Sequence, residues 1–118
     1  MMRMSTMRGF GIVAMVLWLS GCNVGETGDT IAQPQDTMAI GEDIYNKFCF
    51  SCHAAGVAGA PMVGDKDAWS MRSAKGSDLL LLSTIEGMPP GMPPMGLCAA
   101  CTEQDLAAAI EYMLAASQ

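Results

Sequence analysis

Basic residues are scarce in this sequence. Its 118 residues include six Lys and Arg against twelve Asp and Glu, which gives a formal net charge of −6. Nucleic acids bind to basic faces that contact their phosphates, so we expect no nucleic acid as a partner. Charged residues make up only 15% of the chain, which excludes a charge-rich disordered protein or a coiled coil. The length leaves room for one domain.

The apolar run near the N-terminus is too short to span a bilayer. Residues 10–19 form this run, which is broken only by Gly11 and has the length expected of an export signal. Arg3 and Arg8 precede it without an acidic residue. It ends in Leu-Ser-Gly-Cys, which resembles the bacterial lipoprotein signal, with cleavage before Cys22 and acylation of that cysteine.

The export signal predicts where the mature chain lies. We expect residues 1–21 to be removed, and acyl chains on Cys22 to anchor the protein at a membrane of the periplasm. In enterobacterial lipoproteins an Asp after the acylated cysteine retains the protein at the inner membrane. Here that position is Asn23, so the outer membrane is favoured. An ordinary secretory signal with a free Cys22 is the alternative. Residues 22–37 are predicted to be a lipidated N-terminus and flexible tether, and residues 38–118 the folded domain.

Apolar spacing predicts two helices in the first part of this domain. Asp36 or Thr37 is expected to cap a helix that runs to about Cys49. Its apolar positions are Ile40, Ile44 and Phe48, with Tyr45 beside them. Ser77 is expected to cap a second helix that ends at Gly87. Its predicted core face consists of Leu79, Leu82 and Ile85.

A third helix is predicted near the C-terminus. Thr102 and Asp105 have the spacing of a capping box. The apolar stripe behind them consists of Leu106, Ile110, Met113 and Leu114. A weaker signal covers residues 67–74. Two loops rich in Gly, Pro and apolar residues, 54–64 and 87–96, are expected to wrap over something apolar.

The single histidine directly follows a pair of cysteines. Residues 49–53 read Cys-Phe-Ser-Cys-His, which is the attachment pattern of c-type haem. Two thiols one helical turn apart can each add to a vinyl group on the same porphyrin edge. The next side chain then projects under the macrocycle, where an imidazole reaches the iron. We therefore predict one covalent haem c bound by Cys49, Cys52 and His53.

Three other interpretations of these residues remain open. A thioredoxin-like dithiol requires a preceding strand in a βαβ unit, which the sequence does not predict. A zinc site that combines this cysteine pair with Cys98 and Cys101 has enough ligands. It would leave His53 unused, and exported thiols tend to oxidise. The third alternative is a buried structural histidine.

A loop rich in methionine and proline is expected to supply the second iron ligand, because the chain has no second histidine. This loop offers the thioethers of Met88, Met92 and Met95. Proline fixes φ and keeps the preceding residue extended, so a methionine before proline is held out from the chain. A thioether opposite an imidazole raises the reduction potential. Methionine as an ordinary core residue is the alternative.

Seven short segments together resemble a known family. They are residues 41–45, 49–53, 59–61, 64–69, 75–76, 92–98 and 111–113. In this order they resemble the class I cytochromes c, specifically the bacterial cytochrome c5 type, which includes the second cysteine pair. The resemblance implies a small all-α fold of four to five helices around one covalently attached haem, with electron transfer as the activity.

The resemblance also implies the roles of individual residues. Cys49 and Cys52 would bind haem covalently, with His53 as the proximal and Met92 as the distal iron ligand. The carbonyl of Pro61 would orient the proximal imidazole.

Four further residues receive roles beside the iron ligands. Trp69 and Arg72 match a stretch that lies near the haem edge and its propionates. Cys98 and Cys101, which lie just before the last helix, are expected to form a disulfide after export.

These predictions converge on an electron carrier, not an enzyme. An iron with two protein ligands has no open position for oxygen or peroxide chemistry. Expected partners are redox proteins of the respiratory chain or other periplasmic electron-transfer proteins, to whose basic patches an acidic surface is steered. The alternatives are a haem enzyme or ligand sensor with a labile distal methionine, and a four-cysteine zinc module.

Overall fold

The computed structural model describes residues 33–118, and this part of the chain is helical. Its helices are α1 (Pro34–Ile44), α2 (Phe50–His53), α3 (Lys66–Ser73), α4 (Ser77–Glu86) and α5 (Glu103–Ala115). A π-helical stretch, Tyr45–Cys49, joins α1 to α2, and 3-10 turns lie at Val57–Gly59 and Pro94–Leu97. Residues 33–118 form no strand. The predicted small all-α fold is confirmed, while the predicted signal peptide and Cys22 lie outside the described residues.

Helices α1 and α5 cross at backbone contact distance. A Cβ on Gly41 would lie 2.2 Å from the carbonyl oxygen of Ala108, so only glycine permits this approach. One turn further, the rings of Tyr45 and Tyr112 pack at a tilt of 41° with centroids 5.3 Å apart. The buried cluster around them consists of Tyr45, Trp69, Ile110 and Met113. This crossing fixes where α2 and its histidine lie relative to α5.

Helix α1 begins earlier than its capping signals predict. Its first residue is Pro34, and Gln33 is an N-cap without a side-chain hydrogen bond. The prediction that Asp36 or Thr37 caps the helix is wrong, since Asp36 lies in the first turn. Proline explains the early start, because its fixed φ suits the first helical position, where no N–H is needed. Residues 34–37, expected in the tether, are therefore helical.

The buried face of α4 also differs from the predicted one. Leu79 and Leu82 are 53% and 47% exposed, whereas Leu80 and Leu81 pack against the core cluster. Four consecutive leucines offer more than one apolar face, so spacing alone cannot select the buried one, and packing against α5 decides it. The predicted Ser77 cap is wrong as well, because Gly76 is the N-cap, with φ of 89°.

The N-terminus of α5 has the predicted capping box. The Thr102 hydroxyl accepts a hydrogen bond from the Asp105 N–H at 3.2 Å, and the Asp105 carboxylate accepts one from the Thr102 N–H at 2.8 Å. The Thr102 N–H and the Thr102 hydroxyl both donate to this carboxylate, and these two bonds hold the pKa of Asp105 below its ordinary range. The predicted apolar stripe is buried at Leu106, Ile110 and Met113, and half-buried at Leu114.

Candidate functional site

The imidazole of His53 is buried at the end of α2. The side chain is 8% exposed, and its Nδ1 lies 2.9 Å from the carbonyl oxygen of Pro61. A carbonyl only accepts hydrogen bonds, so Nδ1 carries a proton, and in the neutral ring Nε2 then has the free lone pair. Every fully buried side-chain N or O in residues 33–118 has a partner, so the unpartnered Nε2 faces the adjoining cavity. The ring is held in the tautomer that binds a metal ion.

A short strap, Pro61 to Gly64, runs along the back of this imidazole. The N–H of Val63 donates to the carbonyl of His53 at 2.8 Å, so the strap is bound to both the backbone and the ring of the histidine. Trp69 Nε1 donates to the carbonyl of Met62 at 2.8 Å. The Trp69 ring is 5% exposed and lies 6.0 Å from the imidazole, centroid to centroid. The structure therefore places Trp69 behind His53 and not on the cavity wall.

The cavity in front of His53 has largely apolar walls. It measures about 900 Å³, including its open mouth. Its walls come mainly from residues 57–61 and 88–93, which belong to the two loops predicted to wrap over something apolar. A Cβ on Gly91 would lie 2.9 Å from the Ala58 carbonyl oxygen, so the two loops touch. Arg72 is the one charged side chain among the described lining residues.

The two cysteines of the predicted haem motif are free thiols separated by one helical turn. Cys52 lines the cavity, and Cys49 is half-buried and packs against the core cluster. Burial raises the pKa of the Cys49 thiol, and the neighbouring Cys52 raises it further. The structure therefore places one thiol of the pair on the cavity wall and the other against the core.

The methionine loop presents two of its three candidate ligands to the cavity. Met88 and Met92 both line it, and their backbones pair through N–H to carbonyl bonds of 2.8 and 2.9 Å. Met88 is 56% exposed, while Met92 is half-buried. Met95 does not line the cavity and has a left-handed backbone with φ of 59°. Position therefore separates Met95 from the other two methionines.

A disulfide closes the chain between this loop and α5. It joins Cys98 to Cys101, as the sequence predicts, with Cα atoms 5.4 Å apart. The Cys98 N–H donates to the carbonyl of Met95 at 3.0 Å, which ties the disulfide to the methionine loop. The pairing leaves only Cys49 and Cys52 as thiols, which are too few for a four-cysteine zinc site. Within residues 33–118 no group of three or more His, Cys, Asp or Glu side chains is placed to hold a metal ion.

Two wall residues were not identified from the sequence as part of the site. Phe48 precedes the first cysteine of the haem motif, and Leu97 precedes the disulfide cysteine Cys98. Leu97 is 70% exposed and has φ of 70°, a conformation that leucine seldom adopts. Adjacency to a cysteine is the only sequence signal that marks them. With these walls, the thiols and the available imidazole nitrogen, the residues present fit a haem.

This chain is similar in sequence to known proteins. The family model described as cytochrome c oxidase, cbb3-type, subunit III matches residues 36–113. Cytochrome c5 of Azotobacter vinelandii is 45% identical over 75 residues, which cover 62% of this chain and 89% of that protein.

Solved structures agree with the sequence matches. A mono-haem ferrocytochrome c from Shewanella putrefaciens superposes with a TM-score of 0.59 at 46% identity, over 66% of this chain and 94% of that one. A chain from the electron transfer complex of nitrite reductase with cytochrome c gives a TM-score of 0.63 at 44% identity, over 67% and 95%. The chain therefore belongs to the class I monohaem c-type cytochromes, in the cytochrome c5 family.

Proposed function

We propose that this chain holds one haem c with His/Met-ligated iron and shuttles single electrons between redox proteins of the periplasm. The observation that carries the proposal is the state of His53. Its Nδ1 is occupied by Pro61 while its Nε2 faces a largely apolar cavity, one residue after a Cys-x-x-Cys pair. A histidine in a structural role uses both ring nitrogens or turns the second toward water. In this chain His53 Nε2 is instead available to bind a ligand inside the cavity.

The two thiols and the imidazole would hold the cofactor together, the thiols through its vinyl groups and the imidazole through its iron. Cys49 and Cys52 attach the haem through thioether bonds, and their position in one helical turn sets its orientation. His53 binds the iron through Nε2. The Pro61 carbonyl fixes the ring plane and makes the imidazole a stronger electron donor. Behind the ring, Trp69 restricts its movement.

Met92 is proposed as the ligand on the opposite face. It is the less exposed of the two methionines that line the cavity, and it stands six residues before Cys98, the offset in the cytochrome c5 motif. Its carbonyl and N–H are both bound to Met88, so the backbone that presents its sulfur is held in place. Met88 then lies at the rim, consistent with its greater exposure.

Arg72 is proposed to bind a haem propionate. It is the charged side chain of the cavity wall, and one Nη1 donor is used by the Ala68 carbonyl of its own helix. A guanidinium has five N–H donors, so others remain for a carboxylate. This pairing would neutralise a propionate that is otherwise placed against apolar walls.

The bound haem supplies a one-electron iron(II)/iron(III) couple. With both His53 and Met92 as iron ligands, the protein would leave no position for a substrate, which favours a carrier over an enzyme. Carbon monoxide distinguishes the two, because it binds the reduced iron only if a protein ligand leaves. We expect no rapid binding at neutral pH. Rapid binding would favour the haem enzyme or ligand sensor.

The partners are proposed to be redox proteins with basic docking surfaces. The chain carries twice as many acidic as basic residues, with a net charge of −6. Opposite charge accelerates encounter at low ionic strength. A structural neighbour of this chain comes from a complex of nitrite reductase with cytochrome c, so a nitrite reductase is a suitable acceptor to assay. The rate of electron transfer should fall as salt is added.

The proposed location is the periplasm, with a lipid anchor at Cys22, and Asn23 at the next position favours the outer membrane. The support is the sequence of residues 1–22, which has the form of a lipoprotein signal. No helix within residues 33–118 is long and apolar enough to cross a membrane. Full-length protein should incorporate labelled fatty acid and sediment with membranes, whereas a Cys22→Ser variant should do neither.

One preparation tests the central proposal. The full chain is expressed in cells that contain haem-attachment machinery, and its haem is extracted with acidified acetone. We expect one haem per chain that stays with the protein, and loss of that haem in the Cys49→Ala/Cys52→Ala variant. A Cys98→Ala/Cys101→Ala variant is the matched control and should remain coloured. A colourless wild-type protein would contradict the proposed function.

A further inference from the structure

Four successive residues of the strap are each held by a hydrogen bond. Pro61 is bound by the His53 ring, Met62 by the Trp69 indole and Val63 by the His53 carbonyl. The fourth residue, Gly64, donates its N–H to the hydroxyl of Ser117 at 3.0 Å. The first three hydrogen bonds join residues seven to ten positions apart. The fourth comes from a residue 53 positions away, beyond the end of α5.

Ser117 is placed as a fixed anchor. It is 5% exposed although it is the penultimate residue of the chain. Its hydroxyl donates to the Met113 carbonyl at 2.7 Å while it accepts from Gly64, so both its hydrogen-bonding functions are used. Met113 belongs to the buried core cluster. The hydroxyl therefore connects the strap directly to a core residue of α5.

Gly64 needs such an anchor. Its φ of +90° lies in the region that favours glycine, so the strap turns sharply here just before Asp65 caps α3. Without the Ser117 hydroxyl, the Gly64 N–H would lose its acceptor at the point where the chain reverses. The strap would then be held by the histidine that it positions, by Trp69 and by the Asp65 N–H, which donates to the Met62 carbonyl at 3.1 Å.

We propose that Ser117 is a positioning residue for the iron ligand His53. Through Gly64 it holds the strap so that the Pro61 carbonyl stays at hydrogen-bonding distance from Nδ1. This proposal rests on the proposed role of His53 as an iron ligand. A weaker bond at Nδ1 makes the imidazole a poorer electron donor, which destabilises iron(III) and raises the reduction potential. The C-terminal turn thus adjusts the metal site without touching it.

The test compares three variants of the haem-loaded, full-length protein. Ser117→Ala removes the hydroxyl, and Ser117→Thr retains it as a rescue. Thr102→Ala is the matched control, because it weakens the opposite end of α5 through its exposed cap without contact with the strap. The measurements are the reduction potential and, by NMR of the reduced protein, solvent exchange of the His53 Nδ1 proton and the Gly64 amide.

Ser117→Ala should accelerate exchange of both protons by about fivefold to tenfold, the equilibrium effect of one ordinary hydrogen bond. It should also raise the potential, while Ser117→Thr and Thr102→Ala leave both readouts near wild type. Equal acceleration in Thr102→Ala would overturn the proposal, because the effect would then be general destabilisation. So would unchanged exchange in Ser117→Ala.

Two further results separate this proposal from the function. If Ser117→Ala does not take up haem, the Gly64 amide is measured in the wild-type protein. Rapid solvent exchange of that amide would show that the hydrogen bond to Ser117 does not form, and would overturn the proposal. A wild-type protein without covalent haem would contradict the proposed function. If the wild-type protein carries haem but its His53 Nδ1 proton exchanges at the same rate as in Ser117→Ala, the positioning role alone is contradicted.

Discussion

The backbone of Gly41 in α1 lies directly on the carbonyl oxygen of Ala108 in α5. A Cβ at this position would be 2.2 Å from that oxygen and 2.7 Å from the carbonyl carbon. Both atoms belong to backbone inside a helix, so neither can rotate away. The contact fixes the distance between the helix that leads to the haem motif and the helix that carries the core.

Gly41→Ala should lower the free energy of unfolding. Overpacking in a core costs about 1–3 kcal/mol, which exceeds the gain of up to about 1 kcal/mol from alanine's helix propensity. Urea unfolding of the haem-loaded protein, followed by circular dichroism, measures the difference. Ala39→Gly, at an exposed position of the same helix, gives the propensity effect alone. A Gly41→Ala variant that is more stable than wild type would contradict so close a crossing.

The capping box of α5 should make stability depend on acid pH. The pKa of the Asp105 carboxyl is lower in the folded protein than in the unfolded chain. The ionised carboxylate therefore stabilises the fold at pH values above the unfolded-state pKa of about 3.9. This stabilisation is lost as the pH falls through the lower folded-state pKa. Asp105→Asn should therefore unfold at lower urea than wild type at pH 7, with the difference shrinking toward pH 3. Glu103→Gln, in the same helical turn, controls for charge at the helix N-terminus. A difference that is constant with pH would contradict this assignment.

Separate alanine variants of the three loop methionines should identify the iron ligand. Met92→Ala should lose the red methionine–iron charge-transfer band of the oxidised protein, lower the potential and admit added ligands. Met95→Ala should keep the band, because Met95 does not line the cavity. Met88→Ala is the informative control, since Met88 also lines the cavity. If the band disappears in Met88→Ala and persists in Met92→Ala, the ligand is Met88.

The disulfide between Cys98 and Cys101 should be present in freshly isolated protein. Alkylation under denaturing, non-reducing conditions should label neither cysteine, and peptide mass spectrometry should find both labelled only after reduction. A loop this short gives less stabilisation than the roughly 3 kcal/mol of a fifteen-residue loop, so reduction should lower stability by less than that. Labelling of both cysteines before reduction would show that the disulfide is absent in solution.

Local patterns in the sequence determined much of the site. The Cys-x-x-Cys-His motif brings two thiols and an imidazole within little more than one helical turn, so its geometry needs no distant contact. The same holds for the capping box of Thr102 and Asp105 and for the disulfide, whose partners are three residues apart. Helical periodicity also gave the buried stripe of α5. In each case the interacting groups are close in sequence, so the residue types are enough to predict them.

Only the tertiary structure decided the rest. Four consecutive leucines in α4 do not determine which pair is buried, and packing on α5 selected Leu80 and Leu81. Trp69 lies behind His53 because the strap carbonyl of Met62 accepts its indole N–H. The bond from Gly64 to Ser117 spans 53 residues. Such contacts depend on how the helices cross, which the close approach of Gly41 to α5 sets and which no periodicity encodes.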